Sequence, residues 1–325
     1  MEDFKHKNVL LCGGAGFIGS WLADRLVDLG AAVVIIDPCM EGTGGCKENL
    51  SQIVDKITWI QEPIEGVREL KGILRDMDVV IDSMGATGHQ IAMKNIVYDA
   101  HLNYLNHVCL LEALNEVPVK TIFLGSRTQY GKLTTGIDEQ SPQIPVDVQG
   151  VHKCAAESVF RIFSQIRGLQ CISVRIGNCF GPRQQFIGED LGLIGGFIKE
   201  LLQGQKVKVY NSIQRVRYFI YIEELVDSVL KLAELEIQGF TPVNIVGQAI
   251  SLGQLLEILQ GLIGEGSWEE VPFPQLIKDI DPGEGVISQE VLNSLISVRE
   301  PIPFIYSLGK TITYFKEVLI NDMEM

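Results

Sequence analysis

The feature that most constrains the fold of this chain is a glycine-rich stretch near its start. Residues 8–12 are the apolar run Asn-Val-Leu-Leu-Cys, and Gly14, Gly16 and Gly19 follow it with the spacing G-x-G-x-x-G. Apolar residues then recur at helical spacing, which predicts an amphipathic helix from about Phe17. A strand, a glycine turn and a helix N-terminus in this order present backbone N–H groups to a pyrophosphate. The sequence therefore predicts a dinucleotide-binding site.

The predicted dinucleotide contacts extend from the glycine turn to the next apolar run. In the turn and the first helical turn they are Gly13, Gly16, Phe17, Ile18 and Gly19. The run of residues 31–36 ends at Asp37, 18 residues after Gly19. A carboxylate at this place hydrogen-bonds the adenosine ribose and repels a 2′-phosphate, which favours NAD over NADP. The alternative is an ordinary strand-end aspartate that caps a turn.

Alternating apolar runs and helical patterns predict an α/β fold with a Rossmann-type, doubly wound parallel sheet. Further strands are predicted at 57–60, 79–81, 119–124 and 171–176, and long helices at 92–115 and 150–168. Gly85 follows the fourth predicted strand, where a small residue would admit a cofactor at the carboxyl edge of the sheet. A simple turn explains Gly85 almost as well.

The domain organisation is predicted from the change in pattern after Gly181, where the alternation becomes less regular. We expect residues 1–177 to form the NAD-binding domain, with 216–242 returning to it. Residues 178–215 and 243–325 are expected to form a smaller C-terminal α/β substrate lobe. No linker rich in Pro, Gly or Ser separates the halves, so contacts should be shared across the boundary.

Composition excludes several classes of function for this 325-residue chain. No apolar run reaches the length of a membrane span, and the start of the chain lacks a signal-peptide pattern, so a cytoplasmic location is expected. A net charge of −14 opposes nucleic-acid binding, which depends on neutralising phosphates. The seven cysteines are scattered without metal-ligand spacing, so neither disulfides nor a bound metal are expected.

Five stretches stand in an order and spacing that is specific only when they are taken together. They are GGAGFIG at 13–19, FLGSRTQYG at 123–131, VRIGNCFGPR at 174–183, RYFIYIEE at 217–224 and VNI at 243–245. In them the chain resembles the nucleotide-sugar epimerase/dehydratase family of extended short-chain dehydrogenases/reductases. The resemblance implies NAD as cofactor, a nucleotide-diphosphate sugar as substrate and hydride transfer at a sugar hydroxyl, usually at C4. It also implies a homodimer formed through the two long helices.

The resemblance assigns roles to residues at matching positions. Ser126 corresponds to the family residue that hydrogen-bonds the reacting hydroxyl, and Lys153 to the lysine that holds the nicotinamide ribose. Asn103 matches an asparagine near the cofactor, with a helix-surface role as its alternative. Asn178 and Arg217 match positions that bind the substrate phosphates. The alternative for Arg217 is a surface ion pair with Glu223 or Glu224.

One catalytic position departs from the family pattern. The segment that aligns with Tyr-x-x-x-Lys begins with Gln149, so the tyrosine that serves as acid and base is missing. Glutamine forms hydrogen bonds but does not titrate near neutral pH. Another group must take the hydroxyl proton, or the reaction is slow. The candidates are Tyr130, His152 and a water held by Ser126 and Gln149.

Other departures leave two hypotheses open. Asp82 stands where the family often has histidine, and residues 279–285 lack the family's second phosphate-binding arginine. The leading hypothesis is an NAD-dependent enzyme acting on a nucleotide sugar through a non-standard site. Epimerase, dehydrogenase and dehydratase outcomes are not separated, although Ser126-Arg127-Thr128 lacks the acids of a dehydratase. The second hypothesis is a catalytically impaired member that binds NAD(H) as a regulator or a subunit.

Overall fold

The structure is a computed structural model that describes residues 4–133, 136–186, 191–264 and 266–324. Its strands are β1 (Asn8–Cys12), β2 (Ala32–Ile36), β3 (Ile57–Ile60), β4 (Val79–Asp82), β5 (Lys120–Ser126), β6 (Cys171–Ile176), β7 (Asn178–Phe180), β8 (Lys206–Tyr210), β9 (Val216–Tyr221), β10 (Phe240–Ile245), β11 (Gln248–Ser251) and β12 (Ser267–Val271). Its α-helices are α1 (Phe17–Asp28), α2 (Leu70–Arg75), α3 (His89–Lys94), α4 (Ile96–Ala100), α5 (Asn106–Glu116), α6 (Val148–Arg167), α7 (Leu193–Leu202), α8 (Ile222–Glu234), α9 (Leu252–Ile263), α10 (Gln275–Ile280), α11 (Glu290–Leu295) and α12 (Phe304–Glu324).

Seven of the described strands form one parallel sheet in the order β3-β2-β1-β4-β5-β6-β10. The strand order reverses between β1 and β4, so the connections that leave these two strands diverge and open a crevice at their carboxyl ends. The glycine turn follows β1 directly and therefore lies at this crevice. The predicted doubly wound parallel sheet is confirmed.

Both faces of the sheet are covered, which explains why its strands are nearly continuous apolar runs. Val9 and Leu11 of β1 belong to a buried cluster that includes residues of α1 and α8. Leu10 and Cys12 point to the other face and pack with residues of α5 and α6. Alternate residues of one strand thus contribute to two cores.

A smaller set of strands and helices extends from the carboxyl edge of the large sheet. Strands β7, β9 and β11 form one small sheet, and β8 pairs with β12 in parallel. Ile198 of α7, Leu255 of α9 and Phe315 of α12 belong to the same buried cluster as Val9. The two parts of the chain therefore share one continuous hydrophobic core.

Two strands depart from the expected division of the chain. Strand β10 pairs with β6 and completes the large sheet, so the expectation that residues 243–325 lie wholly in the small lobe does not hold. Strand β9, within 216–242, lies instead in a small sheet, whereas α8 packs in the shared core. The long helix expected at 92–115 is divided into α4, a π-helical turn at His101–Leu105 and α5.

Helix α6 is fixed to the sheet by a buried ion pair. Arg175 of β6 donates to both carboxylate oxygens of Glu157, at 2.6 and 3.0 Å, and Glu157 also accepts from Gln129 at 2.8 Å. These bonds lower the pKa of Glu157 in spite of its burial. A buried pair with these further bonds holds the orientation of α6, the helix that carries Gln149 and Lys153.

Within the described ranges, no helix combines the length and apolar character needed to cross a membrane. The same ranges contain no group of three or more His, Cys, Asp or Glu side chains arranged to hold a metal ion.

Candidate active site

The glycine turn forms one wall of a cleft at the switch point of the large sheet. Gly13 has a φ of 79° and its N–H donates to the carbonyl of Ile36 at 2.9 Å. A Cβ atom on Gly19 would lie 2.2 Å from the Gly13 carbonyl oxygen. Helix α1 therefore approaches the turn as closely as it does only because Gly19 has no side chain. The unpartnered N–H groups of the first helical turn, from Phe17 and Ile18 onward, suit a phosphate.

Asp37 lies beside this turn, directly after β2. Its carboxylate accepts from the N–H of Ala15 at 2.9 Å and from the N–H of Cys39 at 2.8 Å. Burial raises the pKa of Asp37, and the two backbone N–H groups oppose that rise. Asp37 therefore acts as a turn cap, as the alternative interpretation expects. Each carboxylate oxygen has a further lone pair, so the same side chain can also accept ribose hydroxyls.

The opposite wall of the cleft is formed by the segment after β4, in which Gly85 has a φ of 138°. Asn103 fixes this segment: its side chain accepts from the N–H of Ala86 and donates to the Ala86 carbonyl, both at 3.1 Å. A Cβ atom on Gly85 would lie 2.6 Å from the Asn103 Oδ1 atom. Asn103 is fully buried, so the structure places it behind the cleft wall rather than in the cleft.

Lys153 lies beneath the same wall, one helical turn after Gln149. Its Nζ atom donates to the carbonyls of Met84 at 3.0 Å and Leu124 at 3.2 Å, and lies 3.3 Å from Nε2 of His107. An ammonium group has three donors, so these partners use all of them. Burial lowers the pKa of Lys153 to about 8, against the opposing charges of Asp82 and Asp99.

His107 also belongs to this site, although no motif in the sequence assigned it a role. Nδ1 of His107 lies 2.7 Å from Oδ2 of Asp82, and both side chains are buried. Burial lowers the pKa of His107, so we assign it as neutral with its proton on Nδ1, facing Asp82. Nε2 is then the acceptor for Lys153. The sequence contained one signal for this pair: His107 lies on the apolar face of a predicted helix, and Asp82 directly follows a predicted strand.

Gln149 and Ser126 are held at the carboxyl edge next to Lys153. Asp147 caps helix α6 by accepting from the N–H of Gly150 at 2.6 Å. Gln149 then donates from Nε2 to the Ala86 carbonyl at 2.6 Å. Ser126 ends β5, and its hydroxyl oxygen accepts from the Thr128 hydroxyl at 2.9 Å. The structure thus brings the three predicted catalytic residues to one edge of the sheet.

The structure separates the two side chains considered as replacement bases. The Tyr130 hydroxyl is buried, donates to Asn244 at 2.7 Å and accepts from Arg175 at 2.7 Å. Burial raises its pKa. Tyr130 is therefore a structural residue, and the hypothesis that it accepts the substrate proton is wrong.

His152 has a different environment on the first turns of α6. Its Nδ1 atom lies 2.5 Å from Oδ1 of Asp99, and the other carboxylate oxygen accepts from Asn103 at 2.7 Å. A histidine oriented by a buried carboxylate is a common arrangement for a general base. His152 therefore stays a candidate.

A second cleft contains the two residues predicted to bind substrate phosphates. It is lined by Arg127, Leu133, Asn178, Arg217, Tyr218 and Glu284. Asn178 accepts from Arg127 at 2.9 Å and donates to the Tyr218 carbonyl at 2.7 Å. Arg217 forms its ion pair with Asp281, at 3.2 Å, and not with Glu223 or Glu224 as the alternative interpretation supposed. Arg127, which follows Ser126 directly, was not identified from the sequence.

The chain is similar to several characterised proteins over much of its length. It is 29% identical to UDP-glucose 4-epimerase of Mycolicibacterium smegmatis, with 68% of this chain and 72% of that protein covered. It is 25% identical to UDP-glucuronic acid decarboxylase 1 of Xenopus tropicalis, with 98% of this chain and 74% of that protein covered. Among solved structures it resembles UDP-N-acetylglucosamine 4-epimerase of Methanobrevibacter ruminantium in complex with UDP-N-acetylmuramic acid. The sequence identity is 25% and the TM-score is 0.88, with 97% of this chain and 99% of that chain covered.

The family comparison agrees with the geometry of the first cleft. NAD is the cofactor of the matching family, and the glycine turn, Asp37 and Gly85 are the residues that would hold it here. The close approach at Gly19 leaves the backbone N–H groups of α1 accessible to a pyrophosphate, which fits this cofactor. Since residues 9–245 match its description over more than half of the chain, the protein belongs to the NAD dependent epimerase/dehydratase family.

Proposed function

We propose that the protein transfers hydride at a sugar hydroxyl, at C4, of a nucleotide-diphosphate sugar. The observation that carries this proposal is the adjacency of the two clefts. Ser126 stands at the reaction edge with Gln149, and the next residue, Arg127, lines the second cleft with Arg217. A substrate whose phosphates lie in the second cleft would present its sugar to Ser126. The UDP-sugar activities named for the similar proteins support the same substrate class.

The proposed roles follow the positions of the side chains. Bound NAD would supply the hydride acceptor. Ser126 would orient the reacting hydroxyl, and Lys153 would release one of its three present acceptors to bind the nicotinamide ribose. Asn178 would line the phosphates, and Arg217 would join it only when its ion pair with Asp281 opens. The hydroxyl proton would pass to His152 or to a water held by Ser126 and Gln149.

A second candidate function is an NAD(H)-binding regulator or subunit without turnover. Two observations favour it. The amide of Gln149 is committed to the Ala86 carbonyl and does not titrate. Arg217 is also paired with Asp281, which lies in the segment where the family often has a second phosphate-binding arginine.

The absorbance of the bound cofactor discriminates between these functions. We expect mass spectrometry of the denatured protein to detect NAD(H). Incubation of the NAD-loaded protein with UDP-glucose, UDP-N-acetylglucosamine or UDP-glucuronate should change the near-ultraviolet absorbance with at least one sugar. A Lys153→Ala variant serves as the control. Cofactor binding without an absorbance change for any of the three would favour the regulator.

We further propose a homodimer and a division of labour between the two parts of the chain. Apolar side chains are exposed along α4 and α6, among them Val97 at 81% and Ile166 at 64%. Apolar side chains that lie together on a surface mark an association site. The large sheet would bind NAD, and the parts of 178–215 and 243–325 outside it would bind the substrate.

A further inference from the structure

The arginines in and beside the second cleft are not equivalent, because an aspartate from a distant segment pairs with two of them, Arg215 and Arg217. Asp281 accepts two bonds from Arg215, at 2.6 and 2.7 Å, and one from Arg217 at 3.2 Å. Its own position is fixed by the N–H of Gly283, which donates to Oδ1 at 2.8 Å. A second carboxylate, that of Glu284, lies 3.8 Å from Arg215.

Arg127 has no such partner within the part of the chain that the structure describes. Its guanidinium donates to the neutral side chain of Asn178 at 2.9 Å. Burial, together with the nearby charge of Arg217, lowers the pKa of Arg127 to about 10, against the opposing charges of Asp281 and Asp147. Arg127 is still a cation at neutral pH. A partly buried cation whose side chain bonds only a neutral amide is incompletely compensated, so an anionic ligand at this position would be stabilising.

Arg215 and Arg217 each form an ion pair with Asp281, whereas Arg127 forms no ion pair among the described residues. We propose that Arg127 is the residue that binds the anionic group of the substrate, and that Asp281 withholds Arg215 and Arg217 from that role. The proposal rests on the proposed function. The anion is a phosphate or a carboxylate, both of which match the forked donors of a guanidinium.

The anion has two possible sources in a nucleotide sugar. One is the diphosphate, which every such ligand contains, and the other is a carboxylate on the sugar. Arg127 lines the second cleft and directly follows Ser126, which ends β5 at the reaction edge. A diphosphate brings two negative charges to a cleft with one free positive charge. Asp281 is therefore expected to weaken diphosphate binding in the wild-type protein.

The test is isothermal titration of the NAD-loaded full-length chain with UDP, UDP-glucose and UDP-glucuronate. Arg127→Gln should weaken binding by about tenfold or more, the factor expected for one lost charge-assisted hydrogen bond. An equal loss for all three ligands identifies the phosphate, and a loss confined to UDP-glucuronate identifies the carboxylate. The matched control Arg217→Gln should change affinity less than Arg127→Gln. The reverse order of the two variants would overturn the proposal.

Two further variants keep the test decisive. Arg127→Lys retains the charge and should bind more tightly than Arg127→Gln, whereas Asp281→Asn should tighten UDP binding by releasing Arg217. Weaker UDP binding by Asp281→Asn would contradict the withholding role. If the wild type binds no sugar nucleotide, the proposed function fails separately. Inorganic pyrophosphate is then used as the probe, and the measured quantity is the rise in the melting temperature of the protein that it causes. This rise must be absent in Arg127→Gln and present in Arg217→Gln. Any other result would show that the proposal is wrong.

Discussion

Gln149 shows how one side chain changes the chemistry that a site can perform. Its Nε2 atom donates to the Ala86 carbonyl, so its position beside the sheet edge is fixed. It is one turn from Lys153 and shares a face of α6 with it. This position next to Lys153 is therefore occupied by an amide, which forms hydrogen bonds but does not exchange a proton near neutral pH.

Replacing Gln149 with tyrosine tests whether the missing base limits turnover. We expect Gln149→Tyr to raise turnover by about 100- to 10,000-fold, the usual contribution of a positioned general base. Gln149→Phe, which has the ring without the hydroxyl, is the control and should give no gain. Turnover is followed by sugar product formation. A fall in turnover with Gln149→Tyr would mean that the glutamine serves a different mechanism.

Lys153 predicts a pH dependence of NAD binding. Its pKa is lowered to about 8 by burial, so the side chain is charged below that pH and neutral above it. Affinity for NAD should therefore fall as the pH rises through about 8, because the charged donor that we propose for the ribose is lost. The groups that face Lys153 are Asp82 of β4, Asp99 of α4 and His107 of α5.

The variant Asp82→Asn separates this electrostatic effect from a structural one. The negative charge of Asp82 raises the pKa of Lys153, so its removal should move the midpoint of the affinity profile to lower pH by about one unit. Lys153→Met should abolish the dependence in this range. A profile that does not move with Asp82→Asn would exclude the coupling. Fluorescence titration with NADH between pH 6 and 10 is the measurement, with buffers spanning about two units on each side of the midpoint.

At the scale of elements, the approach of α1 to the glycine turn determines the shape of the NAD cleft. Gly19 lies in the first turn of α1 against the backbone of Gly13, so a methyl group there has no space. The turn and the helix must move apart when this position has a side chain. Cofactor affinity and stability are therefore coupled at one residue.

We expect Gly19→Ala to lower the free energy of unfolding by about 1–3 kcal/mol, the range for overpacking, and to weaken NAD binding. The matched control is Gly196→Ala in α7, where an added Cβ meets no atom within 4 Å. That control should be neutral or stabilising by up to about 1 kcal/mol, because alanine is the better helix former. Urea denaturation measures both variants. Equal effects of the two substitutions would contradict the steric argument.

At the scale of the whole molecule, one group of exposed apolar side chains lies on α4 and α6, helices that flank the large sheet. On α6, Val151, Ile162 and Ile166 are spaced so that they share one face, and each is about half exposed or more. Ile96 and Val97 are exposed on α4, which packs against α6. This surface is the one that we propose forms the dimer.

Charges placed on this surface should dissociate the dimer. We expect the double variant Val97→Glu/Ile166→Glu to be a monomer, because buried unpaired carboxylates oppose association. The control Ile305→Glu changes a residue on α12 that is 55% exposed and lies outside this surface, and it should leave the dimer intact. Multi-angle light scattering measures the masses. A monomeric wild type, or a double variant that remains dimeric, would disprove this interface.

The sequence by itself determined the cofactor half of this protein. Three local patterns carry this information: the glycine spacing, the apolar run that ends at Asp37, and the alternation of strands and helices. The predicted sheet and NAD cleft follow from them because neighbouring residues impose the backbone geometry. The helix that carries Gln149 and Lys153 was predicted for the same reason.

Only the tertiary structure decided which polar groups meet. Asp281 is 64 positions from Arg217, His107 is 25 from Asp82, and Tyr130 is 114 from Asn244. No local period links such pairs, and their energies depend on burial that the whole fold creates. For that reason the sequence identified Arg217 as a cation of the substrate site, whereas the structure showed that its charge is already paired and that the charge of Arg127 is not.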